Sequence, residues 1–161
     1  MCRRAAEGVT DPELPMLTLA ELGVLRAVVV LPSGRVRVDI TPTYTGCPAT
    51  ETIRDDLAAG IRAHGYKDVE IRTLLDPPWS TEWITESGRT KLREHGISPP
   101  GPRPAPPGPV PLPLPGLRHR PACPRCASTD TAETSRFGAT ACKSLWRCRS
   151  CQEPFEHFKE I

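Results

Sequence analysis

The stretch from Pro99 to Pro115 carries ten prolines in 17 positions, and nothing else in the chain restricts folding as severely. Proline fixes φ and has no N–H to donate, so the tract packs neither as helix nor as an interior strand. It divides the 161 residues into an expected first domain at 1–98, a proline-rich linker at 99–116 and a second domain at 117–161. As polyproline II the tract would span up to about 50 Å at roughly 3.1 Å per residue. Its PxxP spacings also suit aromatic grooves, but its place between two segments favours a spacer.

The two flanks differ in what they can bury. About 98 residues hold one modest core, whereas about 45 residues do not without a staple. The staple is visible in two pairs, Cys123-Pro124-Arg125-Cys126 and Cys148-Arg149-Ser150-Cys151, separated by 21 residues. Each pair offers two sulfurs to one tetrahedral ion, and the spacing allows a hairpin that returns the second pair to the first. Cys123, Cys126, Cys148 and Cys151 are therefore the expected metal ligands. Zinc is the expected ion, and a closed shell of four thiolates makes it structural; stable iron in the same shell would instead give a rubredoxin-like carrier. Glycine commonly follows the second cysteine of such a knuckle because that residue takes positive φ. Here Ala127 and Gln152 stand there, at roughly 1 kcal/mol each if the conformation is kept. Cys142 is a further cysteine of this region and is read as core, with Phe137, Leu145, Trp146, Phe155 and Phe158 packing around the site.

Seven cysteines, with no apolar leader behind Met1-Cys2-Arg3-Arg4, argue for a reduced, cytoplasmic protein without a disulfide framework. The densest apolar run, Ala27 to Leu31, is strand-sized, so no membrane span is expected. Net charge is −2 up to Ser98, +1 in the linker and +3 after it. Arg118, Arg120, Arg125, Arg136, Lys143, Arg147 and Arg149 would serve a nucleic-acid surface, yet Glu153, Glu156 and Glu160 dilute them, and protein docking is favoured.

In the first domain, Asp11-Pro12-Glu13 suits a helix start, with Asp11 as cap and Pro12 at the first helical position. Leu14, Leu17, Leu19, Leu22 and Leu25 follow as core surface. Leu25–Leu31 and Arg35–Thr41 suggest a hairpin around Pro32-Ser33-Gly34, the second strand burying Val36, Val38 and Ile40. From Pro48 to His64 the period becomes helical, through Ile53, Leu57 and Ile61. A third strand spans 68–75, and a short helix 86–95 ends at Gly96. The order predicts α+β, a small two-layer α/β sandwich, followed by a four-cysteine zinc ribbon. Trp79 and Trp83 lie in a proline-broken loop and are read as capping the core in preference to forming a docking patch.

Thr45-Gly46-Cys47-Pro48 places Cys47 at the expected cap of the central helix, where free N–H groups favour a thiolate. Its readings are evenly matched: a transient iron ligand or nucleophile, or a small residue fitting a tight turn with Gly46. One thiol cannot hold a metal alone, so Asp11, Glu13, a substrate or a second subunit would complete the set, and a homo-oligomer stays open. No phosphate-binding loop, HExxH or dinucleotide fingerprint is present, which lowers the odds of an autonomous enzyme.

Asp11-Pro12-Glu13, Leu22-Gly23 and Thr45-Gly46-Cys47-Pro48 resemble the small domain of SufT-type iron-sulfur assembly proteins. With residues Asp76 to Thr85, Gly96-Ile97-Ser98-Pro99-Pro100, Ala141-Cys142-Lys143 and the two CxxC pairs, the chain resembles the PaaD family of accessory subunits of bacterial phenylacetyl-CoA epoxidase. The resemblance implies a place in aerobic phenylacetate breakdown, as a non-catalytic subunit assisting maturation of an iron or iron-sulfur centre. It implies partners among the subunits of a multicomponent oxygenase or an iron-sulfur client protein. Cys47 is the residue it singles out, with Asp11 and Glu13 secondary. A zinc-ribbon or nucleic-acid module without metal delivery is the alternative.

Overall fold

A computed structural model describes residues 2–101 and 120–160. The bulk of the proline tract, and with it most of the expected linker, lies outside the described residues. The chain forms two compact units that divide between Lys91 and Leu92.

The first unit opens with α1 (Cys2–Glu7) and then a three-stranded sheet of β1 (Leu25–Val30), β2 (Val36–Ile40) and β3 (Val69–Thr73), in the order β1-β2-β3. β1 and β2 are the expected antiparallel hairpin, and Gly34 at φ +85° makes its turn. β3 returns parallel to β2, which requires a crossover, and α2 (Thr50–Ala63) supplies it. Val36, Val38 and Ile40 are fully buried from the sheet, and Ile53, Leu57 and Ile61 from the helix. That pairing of a period-2 face with a four-residue stripe is what makes two layers. Register between β2 and β3 places Asp39 opposite Arg72, whose Nε and Nη2 donate to the two carboxylate oxygens at 2.8 and 3.0 Å. The fork holds the Asp39 carboxyl below its usual range.

The helix expected from Asp11 does not form. Asp11 Oδ1 accepts from the N–H groups of Glu13 and Leu14, both at 2.9 Å, so the cap closes a turn, and a second turn brings the Leu17 carbonyl to the Asp11 N–H at 2.9 Å. Pro15 has no N–H for a continuing helical ladder. Leu14, Leu17, Leu19 and Leu22 are nevertheless fully buried, because this irregular segment lays them into the core one by one.

Thr18 and Glu21 form a capping box at the next turn: the Thr18 N–H donates to Glu21 Oε2 at 3.0 Å and the Glu21 N–H to Thr18 Oγ1 at 3.1 Å. Glu21 also accepts from Ser87 at 2.7 Å and Lys91 at 2.8 Å, tying in α3 (Glu86–Glu94). Burial alone would raise its pKa, but the bonds from Lys91, the Thr18 N–H and Ser87 outweigh it and lower it to about 2. Trp79 is buried and donates its indole N–H to the Leu22 carbonyl at 3.1 Å, so it caps the core as expected. Trp83 is half-exposed, and the Arg26 guanidinium stacks 3.5 Å from its ring centre.

The second unit is a four-stranded sheet in the order β4-β7-β6-β5, built from β4 (Ile97–Ser98), β5 (Thr131–Ser135), β6 (Lys143–Cys148) and β7 (Pro154–Phe158). β5, β6 and β7 are successive antiparallel strands, and β4 adds in parallel to β7. Ile97 and Ser98, which precede the proline tract, are thus already paired within this sheet. Phe155, Phe158 and Cys142 are buried as expected, but Phe137 and Leu145 are exposed. On β6 the alternation sends Ser144, Trp146 and Cys148 to one face and Leu145 and Arg147 to the other, while Phe137 precedes the strand altogether.

Candidate metal centre

The hairpins of the second unit converge the four predicted cysteines. Their sulfurs all lie within 4.8 Å of one another, with Cys123 to Cys151 at 3.7 Å and Cys126 to Cys148 at 3.6 Å. A tetrahedral ion with bonds of about 2.3 Å requires sulfur separations of about 3.8 Å, so the donor set fits zinc or iron, and the separations are far from a disulfide bond. Cys123 and Cys148 are buried among Phe155 and Trp146, while Cys126 and Cys151 face outward.

Each pair is a knuckle. Ala127 closes the first by donating its N–H to the Cys123 carbonyl at 2.8 Å, and it does so at φ +60°; Gln152 adopts φ +64° in the second. Both non-glycine residues therefore hold the left-handed conformation that the sequence pattern requires. Gln152 anchors itself by donating its side-chain amide to the Arg149 carbonyl at 2.7 Å, whereas Ala127 has no such group. Ala127→Gly should accordingly stabilise the metal-loaded second unit by about 1 kcal/mol, seen as a higher denaturation midpoint. Gln152→Gly should gain less, because it forfeits that bond.

The thiols are electrostatically unequal. The Cys151 N–H, 3.5 Å from Cys148 Sγ, together with neighbouring thiols outweighs burial and holds the Cys148 thiol down at about 6. The Ser128 backbone draws Cys126 down, but hydrogen bonds with the Cys151, Cys148 and Cys123 thiols, together with desolvation, push it up to about 12. Four crowded sulfurs release one proton readily and the next with difficulty, and a divalent cation is the group that relieves the accumulated charge. Two further contacts staple one knuckle to the other: Ser128 and Ser150 share a 2.8 Å hydroxyl bond, and Arg125 pairs with Glu153. Neither follows from the CxxC spacing; the signal was a charge and a hydroxyl at matching places around each pair.

Cys47 lies in the loop between β2 and α2, at the carboxyl end of a strand whose neighbour runs parallel. It is half-buried between exposed Gly46, at φ +82°, and exposed Pro48. It is not the cap: α2 starts at Thr50 with Ala49 at the cap position, and the Cys47 carbonyl accepts from the Thr50 N–H at 3.1 Å. The Pro48 ring is thus spent in the turn before the helix. Asp11 is buried in the turn it closes. Among the described residues, no convergent group of three or more histidine, cysteine or carboxylate donors includes Cys47, Asp11 or Glu13.

Of the seven basic side chains expected on the second unit, three stand against carboxylates, and Arg118 lies outside the described residues. Lys143 is buried against Glu156 at 2.8 Å, Arg125 pairs with Glu153, and Arg149 stands 3.9 Å from Asp130.

Two family models match this chain: an iron-sulfur cluster assembly protein over residues 2–72, and the PaaD zinc beta ribbon domain over residues 109–159. A protein of Escherichia coli K12 that is assigned to a 1,2-phenylacetyl-CoA epoxidase as one of its subunits is 45% identical over 153 residues, covering 95% of this chain and 87% of that one. The chain belongs to the PaaD family. PaaD-type organisation accounts for the two units with different cores, one of them built around cysteines. An Fe-S protein maturation auxiliary factor of Porphyromonas gingivalis is 31% identical over 90 residues, 55% of this chain and 85% of that relative. The crystal structure of a DUF59 domain of unknown function from Bacillus anthracis superposes with a TM-score of 0.53 at 25% identity, over 56% of this PaaD chain and 87% of that one. The four-cysteine cluster of the PaaD ribbon is a metal-binding arrangement.

Proposed function

We propose that this protein is an accessory subunit of a phenylacetyl-CoA epoxidase and assists maturation of an iron or iron-sulfur centre in that multicomponent oxygenase. The observation that carries the reading is the near full-length likeness to a subunit of such an epoxidase, joined to a first segment of iron-sulfur assembly type. Its partners are then the oxygenase subunits or another iron-sulfur client, in the cytoplasm. Among the described residues, no helix is long and apolar enough to cross a membrane.

In this reading Cys123, Cys126, Cys148 and Cys151 hold zinc. A closed thiolate shell supplies folding free energy and no open coordination position. The remaining chemistry belongs to Cys47, the half-buried thiol on an exposed loop. Iron reaches it as cargo: the thiolate offers one sulfur ligand, and the client, a carboxylate such as Glu13, or a second copy completes the set. Asp11, holding the turn that carries Glu13, positions rather than ligates. The pairing of Lys143, Arg125 and Arg149 with carboxylates favours a protein partner over nucleic acid.

Replacing Cys47 by Ala should leave the fold and one zinc per chain unchanged while lowering iron loading of the client at least several-fold, as read by metal analysis of the co-purified complex. Normal loading with the alanine variant removes Cys47 from the pathway.

A further inference from the structure

The sheet of the first unit ends in two edges that differ. β1 is blunted: its register against β2 shifts between Leu25 and Ala27, the Leu25 N–H is already given to the Leu19 carbonyl at 3.0 Å, and α1 packs against the strand. β3 carries no such device, and among the described elements it meets β2 and α2. Its ladder with β2 uses alternate residues. The Val36 N–H donates to the Asp68 carbonyl at 2.9 Å and the Leu74 N–H to the Ile40 carbonyl at 2.8 Å, so Glu70 and Arg72 turn their backbone groups towards β2. Val69, Ile71 and Thr73 turn theirs away from it, and among the described residues those outward N–H and C=O groups have no partner.

We infer that β3 is the seam of a homodimer, in which a second copy of this chain lays its own β3 antiparallel along this edge about a two-fold axis at Ile71. Two three-stranded sheets then become one. Ile71 faces its own copy, and Val69 faces Thr73 of the other chain. Every outward backbone group is satisfied, because each of these pairs exchanges both N–H···O bonds.

The charges select this occupant and this register. Val69-Glu70-Ile71-Arg72-Thr73 is self-complementary when reversed about Ile71: Glu70 comes opposite Arg72 of the second copy, and Arg72 opposite its Glu70. These are the non-hydrogen-bonded positions, where side chains approach most closely. Both groups have capacity to spare. Glu70 stands 3.8 Å from Arg35, and Arg72 commits Nε and Nη2 to Asp39 and keeps Nη1 for a second carboxylate. A shift of two residues either way would set Glu70 against Glu70 or Arg72 against Arg72, which repel. On the other face of the strand Ile71, in register with buried Val38, is half-buried and would be covered by its copy. Because β2 runs parallel to β3, the Cys47 loops of the two copies lie at opposite ends of the seam, so this second copy does not complete a ligand set at Cys47.

The test uses the full-length, zinc-loaded chain. Sedimentation equilibrium at micromolar concentration should fit a dimer of the 17.6 kDa chain. Glu70→Arg sets arginine against arginine at both ends of the seam and should weaken the dimer at least about tenfold, with the near-ultraviolet signal of buried Trp79 unchanged. Glu51→Arg, the same change of charge on α2, should leave the dimer intact. Thr73→Pro, at an exposed edge position, removes an outward N–H without touching the β2 ladder and should also dissociate it. In dimers mixed from isotope-labelled and unlabelled chains, a nuclear Overhauser contact should join the Ile71 methyls of the two copies. A monomer under these conditions, or a dimer that both Glu70→Arg and Thr73→Pro leave intact, overturns the proposal.

Discussion

Stripping the metal from this protein with a strong chelator at pH 7 should unfold the second unit and leave the first folded. The geometry makes the effect large. Cys123 and Cys148 are themselves the buried centre of the ribbon, and among the described residues Phe155 and Trp146 pack against them. Without the ion, four sulfurs at 3.6 to 4.8 Å keep their crowding and lose the charge that offsets it. Zinc binding in such small sites is worth about 10–16 kcal/mol and appears as folding free energy, more than the net stability of about 3–5 kcal/mol that the core of so small a unit supplies. The expected record is loss of amide dispersion from β5 to β7 and of the Trp146 near-ultraviolet signal, with the first-unit amides unchanged. Cys148→Ser should do the same without chelator, since it removes a fully buried ligand. A ribbon that keeps its dispersed spectrum in excess chelator would show that its carbon core, and not the metal, holds it.

The ribbon is legible in the sequence to the level of a single dihedral angle. Two matched pairs specify a site, and the site specifies a left-handed residue after each pair, found at Ala127 and Gln152. The limits are equally physical. A sequence gives no account of which side of a break a strand joins, so Ile97 and Ser98 read as part of the first domain, although two backbone pairings with β7 hold them in the second unit. Phe137 and Leu145 read as core on hydrophobicity alone. A four-stranded sheet around one ion has room for only part of its apolar side chains, and the strand alternation decides which.

In the first unit the strands and α2 are legible because their apolar spacing is strict. The Asp11 segment misleads because a good cap occurs at turns as well as helices. The signal that explains this region is present in Thr18-Leu19-Ala20-Glu21, a capping-box spacing that marks a second tight turn and supplies the carboxylate on which Ser87 and Lys91 converge. Cys47 reads as the cap of α2, two residues ahead of the actual one at Ala49, because Pro48 fits a pre-helical turn as well as a first helical position.

Gly23→Ala should be the most damaging single methyl in the first unit. Gly23 holds φ +77°, where an L residue is strained by about 1–2 kcal/mol. A Cβ there would also lie 2.5 Å from Trp83 Cβ and 2.7 Å from the Trp83 carbonyl oxygen. Neither can move cheaply: one is backbone, and the other is the root of the side chain on which Arg26 stacks. Overpacking of this kind adds about 1–3 kcal/mol, so the total loss should be about 2–5 kcal/mol. Gly34 separates the two contributions, because it has φ +85° but no atom within 4 Å of an added Cβ. Gly34→Ala should therefore show the dihedral strain alone, about 1–2 kcal/mol, in denaturant titrations followed by Trp79 and Trp83 fluorescence. Equal losses at the two glycines would mean that the Trp83 loop yields to Gly23, and that the close approach is not what fixes the loop over the core.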